Sequence, residues 1–324
     1  MLRRDQRVLR RLQKLFQMSE SLSRTTIPQI IHVAAVKGNS NDLNNLRTLD
    51  SSKIDLKEYG AKDDFFILSF FRAISSHVLT TGSNLRAESN VTYEPLPPDL
   101  LYLREKWGLR NDGPTPVVMT KAAEGIDFNA PFFQRQHQGA VPILLVEEKH
   151  FEGVVSRMGD ADCDAMADIF ACKEDHIRTP SNVIDHLSSM IKCDSSTTAS
   201  NYNTSYVTRM SVECGPSVTS KLYEDDRIDA LSLSVLTATR DENNIPVIDN
   251  DPCFGNDRFL KWISNFEKIS SDKPVDLLVE NKMEETYRWE YNLYFRDKEQ
   301  FNREMSRKKI DAAVFRPPPS RSIV

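Results

Sequence analysis

Short runs of apolar and β-branched residues alternate with longer amphipathic stretches along most of this chain. The runs predict strands at residues 30–36, 77–81, 117–121, 141–147, 206–213, 230–236, 275–279 and 286–295. The stretches predict helices at residues 63–76, 129–138, 181–191, 217–225 and 257–266. Alternating strands and helices favour an α/β fold in three layers, α/β/α, with a mostly parallel central sheet. The long last run predicts an antiparallel strand near an edge.

Three further segments carry no such pattern and are interpreted as surface insertions, at residues 153–179, 194–205 and 239–255. The net charge of −5 provides no global basic field, which argues against a dedicated nucleic-acid binder. No apolar run is long enough to span a membrane. The five cysteines include no Cys-x-x-Cys pair, which favours free thiols in a reducing compartment.

The two ends of the chain differ from the rest. Residues 1–24 are rich in arginine, poor in acids and amphipathic, which is typical of a mitochondrial transit peptide but also fits a solvated helical extension. Both alternatives stay open, so the location is predicted as mitochondrial or cytoplasmic. Residues 298–324 are charged and then proline-rich, as in a disordered tail. We therefore divide the chain into residues 1–26, 27–297 and 298–324.

Several common catalytic patterns are missing from the sequence. It contains no Gly-x-Gly dinucleotide fingerprint, no Gly-Lys-Ser/Thr phosphate loop and no Gly-x-Ser-x-Gly nucleophile elbow. His150 and Glu152 match half of a zinc deaminase motif, but the Pro-Cys-x-x-Cys half is absent. We therefore predict no metal site.

Two junctions from strand to helix remain as candidates for ligand binding. The first runs through Gly82, Ser83, Asn84 and Arg86, where a small polar turn exposes main-chain amides beside short donors. A plain strand connection with Arg86 in solvent is the alternative there.

The second junction runs from Glu213 through Cys214, Gly215, Pro216 and Ser217. Proline suits the first position of a helix, and a helix that begins at the carboxyl edge of a sheet favours an anion. The alternative is a simple helix cap with an exposed Glu213.

In this order and spacing, the two junctions resemble the reductase domain of bacterial riboflavin-biosynthesis deaminase–reductases, which has a dihydrofolate-reductase-like fold. The matching segments are Leu85-Arg86-Ala87-Glu88 and residues 212–217, within a resemblance that covers roughly residues 30–295. The chain departs from the family at Lys37-Gly38, where Asp-Gly is usual, and at Cys214, where the family has glycine. A cysteine at this close approach is expected to crowd the cofactor phosphates. The sequence shows no counterpart of the deaminase half.

The resemblance implies an NADPH-dependent oxidoreductase similar to 5-amino-6-(5-phosphoribosylamino)uracil reductase, acting on a ribosylated pyrimidine or related small molecule, as a homodimer and without nucleic-acid or membrane partners. It implies that NADPH contacts Gly82, Ser83, Asn84, Gly215, Pro216 and Ser217. It also implies catalytic roles for Glu213 and Lys37 and places Arg86 and Glu88 beside the substrate. Two alternatives remain: a nucleotide-binding protein with lost or altered catalysis, and a structural or interaction protein that uses only the fold.

Overall fold

The computed structural model describes residues 3–18, 22–38, 46–48, 61–88, 96–109, 113–134, 140–161, 165–194, 209–238, 257–270, 277–280, 286–297 and 299. Its helices are α1 (Arg4–Leu15), α2 (Lys62–Ile74), α3 (Gly82–Ala87), α4 (Pro98–Lys106), α5 (Phe151–Gly159), α6 (Glu174–Arg178), α7 (Pro180–Asp194), α8 (Pro216–Glu224) and α9 (Asp257–Ile263). Its strands are β1 (Ile30–Lys37), β2 (Arg47–Thr48), β3 (His77–Thr81), β4 (Thr115–Met119), β5 (Ile143–Glu147), β6 (Asp168–Cys172), β7 (Met210–Val212), β8 (Ala230–Ala238), β9 (Glu267–Lys268), β10 (Leu277–Glu280) and β11 (Thr286–Phe295).

The described strands form one sheet in the order β10-β11-β8-β1-β7-β3-β4-β5-β6, with β2 beside β1 and β9 beside β11. The seven strands from β8 to β6 run parallel, whereas β11 and β10 add an antiparallel edge. The predicted α/β class and the predicted antiparallel last strand are confirmed. The bounds of β3 and β11 match the prediction residue for residue.

Helices cover both faces of the sheet, and alternate residues of each central strand point to opposite layers. On one face, α1, α2 and α4 pack over β1, β8 and β11, and α3 and α5 pack over β3, β4 and β5. On the other face, α6, α7, α8 and α9 pack over a second apolar layer. For example, Val78 joins the first layer and Leu79 the second. This arrangement confirms the predicted three layers.

Helix α1 packs into the body of the protein, so the alternative of a solvated helix is wrong. Its apolar residues Val8, Leu12 and Leu15 are buried in the same core cluster as residues of α2 and α4. Ion pairs hold its flanks, from Lys106 to Asp5 and from Arg11 to the first turn of α2. The basic residues therefore form the outer side of an amphipathic core helix. The division of the chain at residues 26 and 297 stays a prediction.

Two other expectations about local structure are wrong. The segment interpreted as an insertion at residues 153–179 holds most of α5, the edge strand β6 and α6. Strand β6 has partly exposed residues and mixed polarity, which is normal for an edge strand and hides the apolar signal. The helix predicted at residues 129–138 is only a 3-10 turn over Pro131–Phe133, because the residue before a proline avoids the helical conformation. Residues 135–138 and the insertion at 239–255 lie outside the described residues.

The cysteines whose side chains are described, Cys172 and Cys214, are buried free thiols. Among the helices described, none combines the length and the apolar character that crossing a membrane requires.

Candidate functional site

A crevice opens at the carboxyl edge of the sheet because β7 lies between β1 and β3. After β3 the chain enters α3 on one face and moves toward β4. After β7 it enters α8 on the other face and moves toward β8. Adjacent strands whose connections leave in opposite directions form the topological switch point where open α/β sheets bind ligands. Both predicted junctions meet at this point.

A cleft of about 830 Å³ extends outward from this switch point. Its walls come from the start of α3, the loop after β4, the junction of α6 with α7, and the first turns of α8. The lining residues are Thr81, Gly82, Ser83, Arg86, Met119, Thr120, Lys121, Ala122, Glu124, Ile177, Arg178, Pro180, Ser217, Val218 and Lys221. Arg86, Lys121, Arg178 and Lys221 provide positive charge, against one carboxylate at Glu124. The cleft is therefore suited to an anionic ligand of cofactor size.

One wall of the cleft depends on the absence of a side chain at Gly82. A Cβ atom there would lie 2.7 Å from Thr120 Oγ1 and 2.8 Å from Thr120 Cβ, closer than real contacts allow. The turn from β3 into α3 thus packs directly against the loop after β4. Thr81 caps this turn, since its Oγ1 accepts a hydrogen bond from the Asn84 amide at 3.4 Å.

The opposite wall is the beginning of α8. Pro216 occupies the first turn of that helix, as predicted. Gly215 precedes it in an extended conformation, and a Cβ atom added there would meet no atom within 4 Å. Ser217 lies in the first turn and lines the cleft, where the positive end of the helix dipole favours an anion. Lys221 Nζ donates to the main-chain oxygen of Arg178 at 2.9 Å, which fixes the α6–α7 junction against α8.

Glu213 is bound by an arginine instead of facing the cleft. Arg72 on α2 contacts its carboxylate with Nε at 2.9 and 3.1 Å and with Nη2 at 2.5 Å. Both side chains are largely buried, and Ser211 Oγ donates to the same carboxylate at 3.3 Å. A bidentate pair of this kind is a strong, oriented contact. This pair fixes the orientation of the Glu213 carboxylate against α2, which the sequence interpretation did not foresee.

The thiol of Cys214 points away from the cleft. Its Sγ donates to the main-chain oxygen of Leu79 at 3.4 Å, and the side chain lies in the apolar layer under α8. Burial, with the Glu213 charge as a second cause, raises the pKa of this thiol. The expectation that Cys214 crowds the cofactor phosphates is therefore wrong, because the side chain takes the place of a core residue.

The remaining predicted residues occupy different positions around the crevice. Asn84 lies behind the cleft and reaches across to the β7–α8 turn. Lys37 ends β1 at the same edge of the sheet and is buried. Glu88 follows α3 as its C-cap residue. The sequence reasoning missed Lys121, Arg178 and Lys221, because a cation at a strand end, in a supposed insertion or on a helix flank is indistinguishable from a solvated charge in a sequence.

A buried carboxyl group, also missed, lies in α2, on the connection from the carboxyl end of β1 to the start of β3. Asp64 sits in the first turn of α2, where an acid is expected at a helix start, but its side chain is buried and accepts a hydrogen bond from Ser234 on β8. Burial raises the pKa of Asp64 to about 6. A buried acid with a raised pKa is typical of a functional group.

The raised pKa gives a prediction for stability. Because Asp64 binds its proton more tightly in the folded chain, its stabilising contribution is complete below the ordinary pKa of 3.8 and is lost as the pH rises through about 6. We expect Asp64→Asn to increase the free energy of unfolding by on the order of 2 kcal/mol near pH 8 and to have little effect near pH 4. Urea unfolding at the two pH values measures this, with Asp160→Asn at an exposed position as control. Equal effects at both pH values would show that Asp64 ionises normally.

Comparison with solved structures relates this architecture to a known fold. A pyrimidine reductase-like protein from Corynebacterium diphtheriae superposes with a TM-score of 0.54 at 16% sequence identity, over 88% of this chain and 98% of that chain. The chain has the fold of a pyrimidine reductase-like protein. As far as the fold is concerned, this likeness agrees with the resemblance found in the sequence.

Two further structures superpose less closely on this chain. A diaminohydroxyphosphoribosylaminopyrimidine deaminase/5-amino-6-(5-phosphoribosylamino)uracil reductase from Thermotoga maritima has a TM-score of 0.42 at 13% identity, with 83% of this chain covering 56% of that one. A riboflavin biosynthesis reductase from Saccharomyces cerevisiae has a TM-score of 0.39 at 12% identity, over 88% of this chain and 98% of that chain. No protein-family model matches the sequence. No curated protein matches it either.

Proposed function

We propose that this chain is an NADPH-dependent reductase that acts on a ribosylated pyrimidine phosphate or a related small molecule. The observation that carries the proposal is the cation-lined cleft at the switch point of a pyrimidine reductase-like fold. The fold alone does not assign an activity, so the residues that line the cleft have to fit the cofactor and the reaction.

The cleft fits the chemistry of a phosphorylated nicotinamide dinucleotide. Its volume lies in the range of small-ligand sites, and the amides at the start of α8 together with Ser217 suit a pyrophosphate. Arg178, at the end of α6, and Lys221, on α8, lie next to each other in the lining of the cleft. We propose that these two cations bind a second phosphate group, such as the 2′-phosphate that distinguishes NADPH from NADH. We therefore favour NADPH as the cofactor.

When bound, the reduced nicotinamide supplies a hydride to the sugar C1′ of the substrate, and a proton completes the reduction of ribosyl to ribityl. The chain has to orient the two reactants at the switch point and to deliver that proton. Asp64, whose pKa is raised to about 6 by burial, is proposed as the acid that delivers this proton, since half of the molecules carry it near pH 6. Lys37, at the end of β1, is proposed to bind the substrate phosphate. An unchanged KM in Lys37→Ala would reject that role.

A nucleotide-binding protein without this catalysis is the second candidate, because Lys37 stands where the family it resembles usually has aspartate. A thermal shift with NADPH, followed by loss of the reduced-nicotinamide absorbance when the pyrimidine substrate is added, supports the reductase. Binding without oxidation supports the second candidate. No shift with any nucleotide leaves a structural or interaction role, since ligand at about 100-fold its Kd adds roughly 2.7 kcal/mol to stability.

The positive charges of Arg178 and Lys221 lead to a prediction about cofactor choice. We expect Arg178→Gln and Lys221→Gln each to weaken NADPH binding by about tenfold, because each removes a charge-assisted contact to phosphate. NADH binding should change much less. Calorimetric titration measures both ligands, and Lys14→Gln on the exposed side of α1 serves as the charge-matched control. Equal losses for NADPH and NADH would place these cations away from the 2′-phosphate.

A homodimer and a mitochondrial or cytoplasmic location are further proposals that follow from the resemblance. Light scattering from the purified chain and localisation of a tagged chain test them separately.

A further inference from the structure

Asn84 connects the two turns that form the walls of the cleft. Its Nδ2 donates to the main-chain oxygen of Glu213 at 2.7 Å and to Thr80 Oγ1 at 3.2 Å. Its Oδ1 accepts from Thr81 Oγ1 at 3.1 Å. Because a carbonyl oxygen only accepts, the contact with Glu213 determines which end of the amide faces the β7–α8 turn.

These contacts use both protons of the Asn84 amide, so its nitrogen has no donor left for a ligand. The side chain also lies outside the set that lines the cleft. The direct cofactor contact expected from the sequence therefore gives way to a different role. We propose that Asn84 is a positioning residue, a brace that sets the separation of the α3 turn from the β7–α8 turn. The inference rests on the proposed function, in which one dinucleotide contacts both walls.

The brace ends on rigid partners, which is why a single side chain controls the separation. Glu213 is held on three sides: its amide donates to Leu79 at 2.8 Å, its carboxylate is bound by Arg72, and its carbonyl oxygen accepts from Asn84. At the other end, Asn84 belongs to a turn whose cap, Thr81, bonds both its amide and its side chain. Each turn keeps its own contacts when the link is removed, so we expect the two turns to move as units and the gap between the walls to change.

Such a brace affects a ligand that spans both walls and leaves short ligands unaffected. A dinucleotide gains affinity from two sites held at a fixed distance, whereas a fragment needs only one of them. Asn84→Leu keeps the size without adding a charge but loses the donor toward Glu213. Asn84→Ala removes the whole link. Both variants should bind NADPH about tenfold more weakly, a loss equivalent to one hydrogen bond to a fixed partner.

The test compares NADPH with two of its fragments, 2′-AMP and nicotinamide mononucleotide, by calorimetry on the full chain. The brace predicts a weaker NADPH complex with fragment affinities within about twofold of the unmodified chain. Ala87→Ser, an exposed substitution on the same helix, is the control and should change none of them. An equal loss for a fragment would make Asn84 a direct ligand, and unchanged NADPH binding would reject the brace.

A second measurement needs no ligand and separates this inference from the proposed function. Amide hydrogen exchange in Asn84→Ala should quicken at residues 82–85 and at residues 214–218 together, because the two turns lose a shared link. Faster exchange at residues 82–85 alone would overturn the brace. If the unmodified chain binds no nicotinamide nucleotide, the proposed function fails, while the exchange pattern still decides whether Asn84 couples the two turns.

Discussion

Gly82→Ala is expected to weaken NADPH binding by about a hundredfold, since displacing this wall loses at least one hydrogen bond to a charged phosphate, worth roughly 1.5–3 kcal/mol. The new methyl group would lie 2.7 Å from Thr120 Oγ1 and 3.2 Å from Ile126 Cδ1, so the α3 turn and the loop after β4 have to separate. Overpacking of this kind also costs about 1–3 kcal/mol of folding free energy. Calorimetry with NADPH and urea unfolding measure the two effects.

Two other glycines provide matched controls for this substitution. A Cβ atom at Gly215 or at Gly153 would meet nothing within 4 Å. Gly153→Ala, on α5, should leave NADPH binding unchanged and should not lower stability, because alanine is the better helix former. Gly215→Ala should leave stability unchanged and reports how closely the ligand approaches α8. If Gly82→Ala resembled Gly153→Ala, the close approach to Thr120 would not define the cleft.

Leu12→Ala should destabilise the chain by about 3 kcal/mol, within the range for fully buried leucines. Leu12 has no exposed surface and lies in the core cluster with Ile67, Phe70 and Leu100, so its truncation leaves a cavity beneath α1. A transit peptide that is removed after import would contribute nothing to this core. Urea unfolding of the full chain measures the loss.

Arg10→Ala on the exposed side of the same helix is the control and should change the free energy of unfolding by less than about 0.5 kcal/mol. Equal, small effects of Arg10→Ala and Leu12→Ala would show that α1 does not belong to the folded core in solution.

Apolar periodicity predicted the central part of the fold because buried parallel strands read as continuous apolar runs. β3 and β5 follow this rule. The same signal failed at β6, which lies at an edge and carries partly exposed residues. It also failed for α1, because exposed arginines and buried leucines on one helix look alike in a solvated extension and in a core helix.

At the site, the sequence predicted the segments better than the roles of their side chains. The small-residue turn at Gly82 and the helix start at Pro216 follow from backbone conformation, which residue type determines locally. The partners of Glu213 and Asn84 come from distant segments, and Glu213 and Arg72 are 141 positions apart in the sequence. The burial of Asp64 likewise depends on β8. Contacts of this kind leave no mark on the local sequence.

A crystal structure of the chain with NADPH tests the central claim most directly. We expect the dinucleotide to lie in the cleft between Gly82 and the start of α8, with its pyrophosphate at Ser217 and its 2′-phosphate within reach of Arg178 or Lys221. Density for NADPH at another surface, or no NADPH in crystals grown at saturating concentration, would contradict it.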